Sequence, residues 1–175
     1  MIVRNPQNVL EVENSTDIKA SSKVLWTVIT TAGILENCHP FCKKNDVKVW
    51  PGEGSEDSIE YFNGRILKRE FTRWRAEKGY TLLIGEDDYA SAKVNWTIRD
   101  YNGTTSSLTI NIDLYIDESL GHYSKFIRRI IGRLYLVPKM RAYLKSVVLG
   151  FKHYVETDQN VTKNQFGFNA LFSTR

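Results

Sequence analysis

"KVNWTIRDYNGTTSSLTINIDLYI", residues 93–116, alternates apolar and polar side chains on both sides of an Asn-Gly turn. Upstream of Asn102-Gly103, the residues Ala90, Ala92, Val94, Trp96 and Ile98 alternate with Tyr89, Ser91, Lys93, Asn95, Thr97 and Arg99. Downstream, Leu108, Ile110, Ile112, Leu114 and Ile116 alternate with Ser107, Thr109, Asn111, Asp113 and Tyr115. A two-residue period over this length predicts an antiparallel hairpin with one face buried and one wet. An apolar sheet face has to be covered, so the question is what the rest of the chain lays over it.

Working toward the N-terminus, strand signals continue back to residue 46. "DVKVW" (46–50) leads into the turn-rich "PGEGSED", and "SIEYF" and "RILKREF" flank Asn63-Gly64. Asn-Gly favours a tight hairpin turn because both residues accept positive φ. "FTRWRAE" then runs to a turn at Lys78-Gly79, and "YTLLIGE" returns from it. Residues 9–19, "VLEVENSTDIK", read as a further strand. Between the two, "IKASSKVLWTVITTAGILENCHPF" (18–41) predicts a short apolar helix capped by Ser21 or Ser22 and ended by Gly33. A second short helix comes next over 34–38, ahead of Pro40.

Toward the C-terminus, 121–157 has the spacing of a long helix. Its apolar stripe is Phe126, Ile127, Ile130, Ile131 and Leu134 before Pro138, and Leu144, Val147, Val148, Phe151 and Val155 after it. The two stripes differ in phase by roughly a quarter turn, so the helix either kinks at Pro138 or gives way to a second one. This helix is the expected cover of the sheet. The prediction is an α+β fold: about seven antiparallel strands wrapped on a long C-terminal helix, with two short helices after the first strand. The domain spans 1–157, and 158–175 is a polar tail, mobile or docked weakly through Phe166, Phe168 or Phe172.

At 175 residues, 42% hydrophobic and 25% charged, the chain suits one globular domain. It has no signal-peptide pattern and no run long enough to span a bilayer. With only two cysteines, Cys38 and Cys42, it is expected to be a cytoplasmic protein without a disulfide framework. Residues 122–155 carry eight basic and no acidic side chains, although the whole chain is only +4. A helix of that charge favours anionic surfaces.

Three segments resemble a known family. "IKASSKVLWTVIT" is similar to the first strand–helix junction of the START-like (SRPBCC) superfamily of polyketide cyclases, lipid-transfer domains and birch-pollen-allergen relatives. "KVNWTIRDYNGTTSSLTINIDLYI" resembles its last hairpin, and "LKSVVLGFKHYVET" the end of its C-terminal helix. The resemblance covers about residues 8–157. It implies a helix-grip fold with an apolar cavity between sheet and long helix, binding or transfer of lipids, sterols or polyketides, and, in some members, catalysis. It also implies that the broken helix pair walls the cavity mouth, against the plainer reading of a core helix ending at glycine, and that the "PGEGSED" loop lies near the entrance.

The expected guest is therefore a small hydrophobic molecule. The residues expected to line its site are Trp26, Phe41, Tyr61, Leu82, Ile84, Val94, Trp96, Ile110, Ile112, Leu114, Tyr143, Val147 and Phe151. His39, Tyr61 and Glu86 are the ionisable candidates for acid–base chemistry in an alternative, cyclase-type reading. Glu86, Tyr61 and Tyr143 could instead orient a bound molecule.

Other motifs lead to less. Cys38, His39 and Cys42 lack the fourth ligand of a zinc site, and His122 and His153 are not spaced to supply it; neither metal nor cofactor is expected. "PGEGSED" ends in acids where a phosphate loop needs lysine. "RILKREFTRWR" interleaves Arg65, Lys68, Arg69, Arg73 and Arg75 with Phe71 and Trp74. It reads as an outward basic face over an apolar inward one, with no nucleic-acid partner; Phe71 and Trp74 share a face only if the strand is bulged. Lys125, Arg128, Arg129 and Arg133 form a basic stripe that is either plain solvated surface or a contact for an anionic membrane. Oligomeric state is left open.

Overall fold

Seven alternating segments become seven strands: β1 (Val9–Ile18), β2 (Cys42–Val49), β3 (Glu56–Tyr61), β4 (Ile66–Arg75), β5 (Gly79–Glu86), β6 (Tyr89–Asp100) and β7 (Ser106–Tyr115). The structure, a computed structural model, describes residues 1, 8–116, 124, 127 and 130–175. All strands pair antiparallel in one sheet of order β1-β7-β6-β5-β4-β3-β2. The 93–116 hairpin sits as read, with Val94 opposite Ile112 and Trp96 opposite Ile110 on the buried face. Register shifts in β2, in β4 at Phe71/Arg73 and in β5–β6 at Ile84/Gly85 bend the sheet into a concave surface.

The bulge in β4 settles the parity of "FTRWR". It places Phe71 and Trp74 on the same concave face, with ring centroids 5.6 Å apart.

α1 (Ser22–Ile29) starts as expected: the Ser21 hydroxyl accepts the Val24 N–H at 3.3 Å. It ends well before Gly33, however. The hydroxyls of Thr30 and Thr31 turn back to the carbonyls of Trp26 and Thr27, at 2.6 and 2.8 Å, and satisfy the last turn there. Gly33, at φ +74°, serves the turn into α2 (Leu35–Cys38) instead.

The long helix is one helical path. Gly132–Leu136 forms a π-helical turn, in which the Val137 N–H reaches five residues back to the Gly132 carbonyl, and α3 (Val137–Thr157) continues directly with Pro138 in its first turn. The wider turn accommodates a proline that lacks an N–H and crowds the preceding turn. One extra residue in a turn rotates the downstream helix by roughly 100°, the size of the phase change between the two apolar stripes.

This turn also corrects the stripe ahead of it. Ile127, Ile130 and Leu134 are exposed, Leu134 by 76%, and only Ile131 of the described residues in that stripe faces inward. Phe126, His122, Lys125, Arg128 and Arg129 lie outside the described residues; Arg133 is exposed.

α3 crosses the concave face, burying Met140, Tyr143, Leu144, Val147, Val148 and Phe151. It comes very close to α2 at Gly150, where a Cβ would lie 2.2 Å from the Cys38 carbonyl oxygen, so no larger residue fits. Residues 158–175 pack onto the domain. The Val161 and Asn164 amides donate to the carbonyls of Asn37 and Pro40 at 2.8 and 3.0 Å. The Asn169 side-chain amide donates to the Lys139 carbonyl at 2.8 Å, and Asn63 donates to the Leu171 carbonyl at 2.8 Å. Of the three phenylalanines considered for docking, Phe172 is buried and Phe168 is exposed.

Candidate functional site

The interior under α3 divides into two parts. Below α1, aromatic rings fill the space: Trp26 meets Trp74 at 5.4 Å, Trp50 meets Phe71 at 5.0 Å, Trp74 stacks on Tyr80 at 5.6 Å, and Tyr80 meets Trp96 at 5.3 Å. Toward α2 and the C-terminal segment this aromatic fill gives way to aliphatic side chains, with a second ring group of His39, Tyr61, Tyr143 and Phe172, and a cavity of about 550 Å³ opens between them. That volume lies in the range that holds a drug-sized molecule.

Strands β5, β6 and β7 supply one wall through Leu82, Ile84, Ala92, Val94, Trp96, Ile110, Ile112 and Leu114. Met140, Tyr143, Leu144 and Val147 of α3 supply the opposite one, because a helix repeat of three to four residues keeps them on one face. Lining residues that reach solvent are Arg65, Glu86 and Tyr135, which mark the mouth; the Arg65 Nε–H donates to Glu86 Oε1 at 2.7 Å across it.

Ten of the residues expected at the site thus lie on the cavity: Tyr61, Leu82, Ile84, Val94, Trp96, Ile110, Ile112, Leu114, Tyr143 and Val147. Trp26, Phe41 and Phe151 do not. Trp26 packs into the aromatic fill against Trp74 and Tyr80. Phe41 stacks behind Tyr143 at 5.5 Å, and Phe151 sits behind Trp96 at 5.0 Å. Nor does α1 wall the mouth: of the two short helices only Leu35 reaches the cavity, with His39 just after it. The "PGEGSED" loop lies at the filled end, its Gly54 N–H bonded to the Phe71 carbonyl at 2.8 Å and its neighbour Trp50 against Phe71 and Trp74.

The closed end of the cavity is polar. The Phe41 N–H donates to His39 Nδ1 at 3.2 Å, so that nitrogen carries no proton. The ring proton is then on Nε2, which donates to Tyr143 Oη at 3.0 Å. Tyr143 Oη in turn lies 3.2 Å from Tyr61 Oη. Burial, and then the charge of Arg69, lower the pKa of His39 to about 3, which keeps the ring neutral. Burial pushes the Tyr61 hydroxyl up to about 12 and raises Tyr143 as well. With both ring nitrogens engaged, His39 orients Tyr143 and is not placed to take a proton from a bound molecule.

Next to this chain lies a buried ion pair that the basic-face reading of "RILKREFTRWR" missed. Arg69 on β4 stands directly opposite Asp57 on β3, and its Nε–H donates to Asp57 Oδ1 at 2.6 Å while Nη2 donates to Oδ2. Burial opposes the Arg69 charge, but Asp57 outweighs it and holds the guanidinium protonated. The signal was available in strand parity: Arg69 shares the inward phase of Leu67 and Phe71, and Asp57 that of Ile59 and Tyr61. Lys68, Arg73 and Arg75 do face outward.

Leu171 and Phe172 of the C-terminal segment also line the cavity; Phe172 lies 4.7 Å from the Tyr61 ring and 4.2 Å from that of Tyr143. Cys38 and Cys42 are buried free thiols, the latter pushed up to about 12 chiefly by burial. Among the described residues no three His, Cys, Asp or Glu side chains gather as a metal site. No helix among them is long and apolar enough to cross a membrane.

This architecture, a curved antiparallel sheet gripping a long C-terminal helix, is a helix-grip fold. No family model matches the chain, and no curated protein matches it. Solved structures do. DynU16, described as a protein in the dynemicin biosynthetic locus, superposes with a TM-score of 0.63 at 13% identity over 88% of this chain; the match spans about half, 51%, of the DynU16 chain. The Zhui aromatase/cyclase from Streptomyces sp. R1128 gives 0.59 at 15% identity, over 88% of this chain and 100% of its own. Norcoclaurine synthase from Thalictrum flavum gives 0.57 at 10% identity, over 85% and 94%. At these identities the likeness establishes the fold.

Proposed function

We propose that the protein binds a small, largely apolar molecule in the cavity between sheet and α3, as a carrier or binding protein. The observation that carries this reading is a hollow of about 550 Å³, walled by aliphatic side chains, in a domain whose other half is filled with aromatic rings. Burying a molecule against such walls is favoured by roughly 25 cal/mol per Å² of apolar surface removed from water. Native mass spectrometry of the purified protein tests it. Retained mass, or uptake from a panel of lipids, sterols and aromatic polyketides, is the expected result; no uptake of any of them overturns it.

A second reading, cyclisation of a polyketide-like chain, is favoured by the polar closed end, where His39, Tyr143, Tyr61 and Arg69 face the same hollow, and by the presence of an aromatase/cyclase among structures of this fold. Here the cavity would fold the chain and Tyr61 would be the proton donor. Turnover of an aromatic polyketide precursor that disappears in Tyr61→Phe supports it; unchanged turnover removes it. For the carrier reading, the exposed Ile127, Ile130 and Leu134 near the mouth residue Tyr135, with Arg133 among them, suit contact with an anionic membrane. Co-sedimentation with anionic vesicles that weakens with salt is expected, and none at low salt counts against it.

A further inference from the structure

We infer that the closed end of the cavity is a recognition subsite for an uncharged ketone-type oxygen, held by the hydroxyl proton of Tyr61. This subsite rests on the cavity reading and narrows the chemistry of the guest.

The polar chain holds more protons than it can use. His39 Nε2–H, the Tyr143 hydroxyl and the Tyr61 hydroxyl bring three donors to a chain with two links, at 3.0 and 3.2 Å. One hydroxyl proton is therefore left over. The direction of the chain is set at its start, because the Phe41 N–H occupies His39 Nδ1 and makes Nε2 the donor. A hydroxyl that accepts a hydrogen bond is polarised to donate onward, so Tyr143 donates to Tyr61 and the spare proton is that of Tyr61. Tyr61 is 1% exposed, and no other acceptor among the described residues is bonded to its hydroxyl. A buried hydroxyl donor without an acceptor is costly, and an oxygen on a guest removes that cost.

The surroundings narrow the class. Arg69 lies on the same part of the wall, and the Asp57 carboxylate is already taken up by it, so a buried ammonium would find no free counter-charge. Asp57 already neutralises Arg69 through two hydrogen bonds, so a carboxylate would enter without a counter-charge of its own. An uncharged carbonyl oxygen meets both conditions. The aliphatic walls and the Phe172 ring, packed on both tyrosines, take the rest of the molecule.

The test uses two fluorescent probes, 6-propionyl-2-(dimethylamino)naphthalene and its 6-propyl analogue, which lacks the carbonyl. Titrations with the wild type, Tyr61→Phe and Tyr143→Phe are combined with infrared spectra of the carbonyl-13C ketone. The Tyr61→Phe change is expected to weaken the ketone about tenfold and the propyl probe less than twofold. The carbonyl band of the bound ketone is expected at lower wavenumber in the wild type than in Tyr61→Phe. Tyr143→Phe, which leaves the Tyr61 proton in place, is expected to weaken the ketone by less. Equal losses for both probes in Tyr61→Phe, an unshifted band, or an effect confined to Tyr143→Phe overturns the inference while propyl binding leaves the cavity reading standing. Failure of both probes to bind the wild type overturns the two together.

Discussion

The two ends of the interior are built from the same strands yet solve opposite problems. At the α1 end, Trp26, Trp50, Phe71, Trp74 and Tyr80 meet edge to face or stacked, with centroids 5.0 to 6.4 Å apart, and leave no room. At the other end the strands carry the smaller side chains Ala92, Val94, Ile110 and Ile112, which border the open space. The filled end provides the packing that lets the other end remain hollow. Strand parity is the same in both; what differs is the size of the inward side chains and how the bent sheet and α3 bring them together.

The largest expected effect breaks the hollow end at its polar base. Asp57→Asn leaves Arg69 charged, buried and uncompensated, and should cost about 4 kcal/mol in chemical denaturation. Truncation compares the ends directly. Phe71→Ala, in the filled end, should cost about 4 kcal/mol, and Ile112→Ala, which already borders open space, about 2 kcal/mol. Similar costs would mean that the hollow is packed. Enlargement runs the other way. Gly150→Ala, pressed against the Cys38 carbonyl, should cost about 2 kcal/mol, whereas Ala92→Leu should cost less than about 1 kcal/mol while reducing uptake of apolar probes.

An effect of similarly small size is in pH. His39 has its pKa lowered to about 3 in the folded protein, while the unfolded chain has the ordinary value near 6.5. Between these values the unfolded state binds the additional proton, so this contribution is complete above pH ~6.5 and lost as pH falls toward 3. Relative to His39→Gln, the wild type should lose about 1 kcal/mol between neutrality and about pH 5.5, read from paired melting curves. Parallel curves would show that His39 is not held neutral.

Parts of the site were legible in single residues. Alternation in 93–116 marked the buried faces of β6 and β7, and Val94, Ile110 and Ile112 emerge from it as cavity wall, as Leu82 and Ile84 do from the shorter run in β5. Phe41 and Phe151 show the limit, since periodicity identifies an inward side chain and cannot say whether it meets a ring or a void. Arg69 and Asp57 could have been found by parity, as polar residues on the inward phase of adjacent strands. The roles of Leu171 and Phe172 could not, because their short polar segment has no period to read.

The sequence by itself determined the strands, most of their inward faces and the long closing helix, because periods of 2 and 3.6 residues decide locally which side chains leave water. Only the tertiary structure decided where the interior is empty, that His39, Tyr143 and Tyr61 form one directed chain, and that Arg69 turns inward to Asp57. Those outcomes depend on bulges, on a π-helical turn and on contacts between residues up to 104 positions apart, distances over which no local pattern carries information.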